Sequence, residues 1–83
     1  MEKVREQLAE YAHRAWSGWM KYMFGKGSSC SDGSILIPKW AVDRWSRQMN
    51  TEYEDLPEEE KKSDREEADR MIKIFKEAND GQN

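Results

Sequence analysis

Val4-Arg5-Glu6-Gln7-Leu8-Ala9-Glu10-Tyr11-Ala12-His13-Arg14-Ala15-Trp16-Ser17-Gly18-Trp19-Met20-Lys21-Tyr22-Met23-Phe24 is the stretch that decides the fold. Val4, Leu8, Tyr11, Ala12, Ala15, Trp19, Tyr22 and Met23 recur at three- and four-residue spacing. That is the apolar stripe of an amphipathic helix, here running from about Glu2 to Phe24. Trp16 and Met20 widen the stripe towards its C-terminal end. Gly18 costs about 1 kcal/mol in a helix interior. Its presence predicts either close approach of another backbone or a bend.

Working outward, Gly25-Lys26-Gly27-Ser28-Ser29-Cys30-Ser31-Asp32-Gly33-Ser34 reads as a loop. Gly25 or Gly27 is expected to stop the helix in the left-handed conformation. Asp32-Gly33 is a turn signal. Ile35-Leu36-Ile37 is a short apolar run, suited to one strand or to an extended plug. Pro38 then opens a second helix, since proline suits the first helical position. Trp40, Ala41, Val42, Trp45 and Met49 keep helical period to about Asn50, with Arg44 and Arg47 on or beside that face.

Residues 51–55 make a short connection. Leu56-Pro57-Glu58-Glu59-Glu60 starts a third helix, with acids near the positive end of its dipole. Glu58–Lys62 and Glu66–Arg70 stand four residues apart in the order that favours ion pairing. Ala68, Met71, Ile72, Phe75 and Ala78 form its apolar stripe, and Asn79 to Asn83 stop it. The fold expected is mainly α: a compact three-helix single domain over residues 1–79, with a Gly/Ser loop, a short extended segment and a polar tail at 80–83.

Composition sets the limits. Eighty-three residues suit one domain with a modest core. Charged residues are 37% against 36% hydrophobic, and mean hydropathy is −1.14, close to the range of disordered chains. Four Trp, three Tyr, two Phe and five Met argue for folding, because each aromatic buries a large area. The expected core is thin and aromatic-rich, completed by a second copy in a homodimer or higher homo-oligomer. Net charge is −3, which does not suit a binder of duplex nucleic acid. Charge is unevenly spread. Residues 1–51 hold eight Lys and Arg against five Asp and Glu, whereas residues 52–70 hold four against ten. The basic part can receive a small anion. The single cysteine, Cys30, precludes an internal disulfide. No apolar run reaches membrane-span length, and the first residues form no signal core. A cytoplasmic protein without membrane contact is therefore expected.

Little in the chain suggests chemistry. One His and one Cys, far apart, make neither a zinc site nor an activated thiol. Cys30 reads as an ordinary exposed thiol in a polar loop. No phosphate-cradling glycine motif is followed by Lys-Ser or Lys-Thr. The carboxylates read as a solvated helix face. No catalytic residue, metal or cofactor is expected. His13 has two readings, a partly buried ring bonded to a neighbour or a ligand contact. Trp16, Trp19, Trp40 and Trp45 divide the same way between core and site. A flat aromatic face beside Arg14 or Arg44 suits a nucleobase stacked on the rings with a guanidinium on phosphate.

Two stretches together resemble the RyR domain, the small repeat named after ryanodine receptors and also found in bacterial and phage proteins. Residues 4–16 are similar to its opening helix, with Leu8-Ala9-Glu10, then His13, then Trp16. Residues 53–65 are similar to its closing motif, in which an aromatic (Tyr53) and Leu56-Pro57 precede acids, Lys61 and Asp64-Arg65. Between them, the Gly/Ser loop and Trp-rich helix of residues 25–50 differ from the family pattern. The resemblance implies a helical binding module without catalysis. Tandem repeats of the family resemble an adenine-nucleotide site, and a lone repeat reproduces a tandem pair by dimerising. It further implies a phage protein that sequesters a nucleotide immune signal made by the host. On this reading Trp16, Trp19 or Trp45 stacks on the base, and Arg14, Arg44 or Arg47 meets phosphate. His13 bonds a hydroxyl or phosphate, and Tyr53 joins the ligand-binding set. Lys61, Asp64 and Arg65 read as a structural ion network. The alternative is a protein-binding inhibitor that offers the acidic surface of residues 52–70 to a basic host protein.

Overall fold

The computed structural model describes residues 2–80, with side chains described to Ala78. The expected polar tail therefore falls largely outside the described residues. The protein is mainly α. The elements run α1 (Glu2–Lys26), β1 (Ser28–Ser29), β2 (Ile35–Leu36), α2 (Lys39–Met49), a 3-10 turn (Tyr53–Asp55) and α3 (Glu58–Asp80). Among the described residues no helix is long and apolar enough to cross a membrane. The chain divides into two units, one made of residues up to Ala15 with those from Pro57 onward, the other of Trp16–Leu56.

The first unit holds the start of α1 and all of α3. Val4 and Ala78 are its buried apolar side chains, with Leu8, Tyr11 and Ile74 half-buried. The expected inner stripe of α3 is corrected here. Ala78 turns inward, but Ala68, Met71, Ile72 and Phe75 stay exposed. The inner face instead runs Glu60, Glu67, Ile74, Ala78. Within this unit the first part of α1 is the only other helix among the described residues, and one helix can bury a narrow seam rather than the full width of such a stripe. Glu58 does not pair with Lys62. It holds Arg65 at 3.2 Å and Lys61 at 3.8 Å, while Arg70 takes Glu67 at 2.6 Å instead of Glu66. The Lys61 side chain is only 16% exposed, its stem laid along the protein and its ammonium reaching out to Glu58.

In the second unit α1 continues through Gly18 to Lys26. A Cβ at Gly18 would meet nothing, so no backbone approaches there. The extended run is half of a two-stranded hairpin, with Ser28 opposite Leu36 and Ser29 opposite Ile35 in antiparallel register. Its loop closes by Gly33 N–H donating to Cys30 O at 3.1 Å and Cys30 N–H donating to Ser34 O at 2.7 Å. Gly33 has φ +93°, the left-handed residue that follows a tight turn in a three-residue hairpin loop. Gly33, not Gly25 or Gly27, is the glycine at positive φ among the described residues. Gly27 serves differently: a Cβ there would collide with Ile35 and lie 2.9 Å from Leu36 O. Its missing side chain lets β2 fold back against the helix end.

Pro38 caps α2 from outside, extended at φ −66° and ψ 154°, and its carbonyl accepts from Ala41 and Val42 N–H. Pro57 does the same for Glu60 and Lys61 at the start of α3. Pro38 thus sits one place before the first helical position expected for it. On α2, Ala41 is buried and Trp45 half-buried, whereas Trp40, Val42 and Met49 are exposed. The helix ends where Asn50 Nδ2 donates to Ser46 O at 2.8 Å and Thr51 Oγ1 to Arg47 O.

Candidate functional site

The aromatic residues of the second unit gather into one cluster. Trp19 stacks on Tyr22, three residues on, with centroids 5.3 Å apart and planes at 15°. Helical spacing alone puts these two rings side by side on α1. Trp45, from α2, meets Trp19 edge-on at 5.4 Å and Tyr22 at 6.3 Å. Trp40, five residues earlier on α2, approaches Trp45 edge-on at 6.4 Å. Trp45 is therefore the hub, and it is the half-buried member. Trp19, Tyr22 and Trp40 remain 43–49% exposed. Edge-to-face and offset-stacked geometries suit the ring quadrupoles, so the cluster supports itself while leaving ring area to solvent.

A cation completes it. Lys26 Nζ lies 5.2 Å from the Tyr22 ring centroid, four residues further along α1. The contact is a cation–π pair. On α2, Arg44 and Arg47 stand four and seven residues after Trp40 and share its outer face, both exposed. Lys39 is occupied by Asp43 at 2.7 Å. Three basic side chains thus accompany two tryptophans and a tyrosine on or beside exposed helix faces.

Of the eight residues expected to bind ligand, the structure brings Trp19 and Trp45 into contact. Arg44 and Arg47 lie with Trp40 rather than on the Trp45 face. Trp16 is 59% exposed on α1, and Tyr53 is exposed at the start of the 3-10 turn. His13 and Arg14 belong to the first unit. His13 is exposed, contrary to the partly buried reading, and Arg14 holds Glu10 at 3.7 Å with both side chains well exposed. Cys30 is half-buried within the hairpin loop rather than fully exposed. Tyr22 and Lys26 were outside the expected set, and Trp40 was undecided. The spacing Trp19, Tyr22, Lys26 was the signal that could have found the first two, since it is one helical face.

Comparison with family models, curated proteins and solved structures finds no match to this chain.

Proposed function

We propose that this chain is a non-catalytic binding module that takes an adenine-containing nucleotide or cyclic nucleotide signal on its aromatic cluster and holds it intact. The observation that carries this reading is the Trp19–Tyr22–Trp45–Trp40 assembly, which leaves ring faces exposed beside Lys26 and Arg44. A folded chain gains by burying such rings. Leaving three of them about half-exposed next to cations matches what a nucleobase with phosphate needs. The RyR-like stretches at residues 4–16 and 53–65 point the same way, towards a cytoplasmic phage module that works as a homodimer and sequesters a host immune signal.

The test is thermal unfolding against a nucleotide panel that includes ADP-ribose derivatives and cyclic dinucleotides. A ligand at about 100 times its dissociation constant stabilises the fold by roughly 2.7 kcal/mol, a shift of many degrees for so small a protein. The expected result is a shift that disappears in Trp19→Ala and Arg44→Ala, with intact ligand recovered on denaturation. No shift across the panel would reject nucleotide binding.

The second reading, an acidic module that blocks a basic host protein, draws on one observation. Glu52, Glu54, Asp55, Glu58 and Glu59 are all exposed in consecutive turns of chain. It expects a complex with a basic protein that weakens steeply with salt.

A further inference from the structure

We infer that a second copy of this chain pairs with α3 in antiparallel order over Ala68, Met71, Ile72 and Phe75. This rests on the homodimer proposed above and names its surface. Met71, Ile72 and Phe75 are 43–50% exposed, and Ala68 is exposed with them. Their spacing of three, four and seven residues makes one continuous strip on the helix. Among the described residues, the fully buried apolar side chains of the first unit are Val4 and Ala78, both small, whereas the strip leaves three large apolar side chains about half exposed.

The strip is symmetric about the point between Met71 and Ile72. A twofold axis there sets Met71 against Ile72 of the other copy, and Ala68 against Phe75. The smallest side chain of the strip then faces the largest, which lets the two helices interdigitate. Charge selects the same direction. In this register residues 65–71 of one copy face residues 72–78 of the other. The first stretch holds three acidic and two basic side chains and the second two basic and one acidic. Antiparallel pairing therefore sets a net negative stretch against a net positive one, whereas parallel pairing sets like against like. At the strip's edge away from Glu67 and Ile74, the same axis brings Asp69 to two residues, about 3 Å along the helix, from the level of Lys76 of the other copy. Both side chains are exposed, and neither has an ion-pair partner among the described residues.

Light scattering after size exclusion and cysteine cross-linking test this, with Cys30→Ser as background. The expected mass is that of a dimer, and Phe75→Glu, checked for helicity by circular dichroism, weakens association at least tenfold. Asp69→Lys and Lys76→Glu each weaken it as well, and the double variant restores it. Met71→Cys is expected to link to itself. Ala68→Cys is not, because its two copies stand about 10 Å apart along the axis at 1.5 Å per residue, beyond disulfide reach. Ala68→Cys mixed with Phe75→Cys links. A monomeric mass at all concentrations would overturn the homodimer and this surface together. A dimer indifferent to Phe75→Glu and to the charge reversals would overturn the surface alone. Self-linking of Ala68→Cys would overturn the antiparallel order. Loss of nucleotide binding in an intact dimer is a separate result that bears only on the aromatic cluster.

Discussion

Trp45 of α2 meets the Trp19 ring of α1 edge-on, 5.4 Å between centroids and 65° between planes. That contact ties two helices of the second unit through side chains that nearly all remain in part exposed. Trp45 also touches Tyr22 and Trp40, so it holds the cluster together where the others only join it.

Trp45→Ala should therefore cost the most of the four ring deletions, about 2–3 kcal/mol, given its half-buried state and the 3–5 kcal/mol typical of fully buried tryptophans. Trp40→Ala removes one edge contact and should cost about 1 kcal/mol or less. Urea denaturation of the single variants gives the order directly. Equal costs would mean that Trp45 is not the hub.

The glycines separate by conformation. Gly18 sits inside α1 with open space around it, so Gly18→Ala should stabilise by roughly 0.5–1 kcal/mol. Gly33→Ala forces a side chain onto φ +93° and should destabilise by about 1 kcal/mol. Gly27→Ala should also destabilise, because Ile35 and the Leu36 carbonyl occupy the space. Melting temperatures of the three variants, with opposite signs expected, check the assignment.

Much of this was legible beforehand. All three helices follow from apolar spacing, and the turn at Asp32-Gly33 from its residue types. What periodicity does not reveal is which part of a wide stripe finds a partner. Met71, Ile72 and Phe75 have the spacing of a core face, yet it is the neighbouring seam of Glu60, Glu67, Ile74 and Ala78 that is partly or fully buried. The site was half legible for a related reason. Trp19 and Trp45 stood out as bulky rings, but their meeting depends on how the hairpin returns the chain, and a 28–29 strand of two serines carries no strand signal. Arg44 was placed on or beside the whole face from Trp40 to Met49, whereas helical spacing sets it with Trp40, four residues back.

Gln7 carries a side-chain oxygen that is buried with no hydrogen-bond partner among the described residues. An unpaired buried acceptor costs about 1–3 kcal/mol relative to hydration. Gln7→Met keeps the length and helix propensity and removes that acceptor, so it should raise stability by about 1 kcal/mol. Chemical denaturation reads the change, and a loss of stability would show that Gln7 is satisfied in solution.

Asp32 gives a pH signature. The Ser34 backbone N–H donates to its Oδ1 at 2.9 Å, and this bond, followed by one from the Ser34 side chain, holds the carboxyl below its ordinary 3.8. A depressed folded-state value means that the turn gains stability above the ordinary carboxylate range, and that this gain is lost as pH falls through the lowered value. Side-chain carbon shifts in an NMR titration should place the Asp32 midpoint below 3.8, and Ser34→Ala should leave much of the depression, since the backbone donor remains. A midpoint at 3.8 or above would show the turn to be open in solution.

The tilted indoles also decide how the molecule interacts with light. Identical chromophores 5.4 and 6.4 Å apart, inclined at 65° and 64°, share their excitation and split one absorption band into two of opposite rotational strength. The folded chain thus carries its own optical gauge in the ultraviolet. Anything that slides between the rings, or swings one aside, changes that doublet without a dye ever being attached.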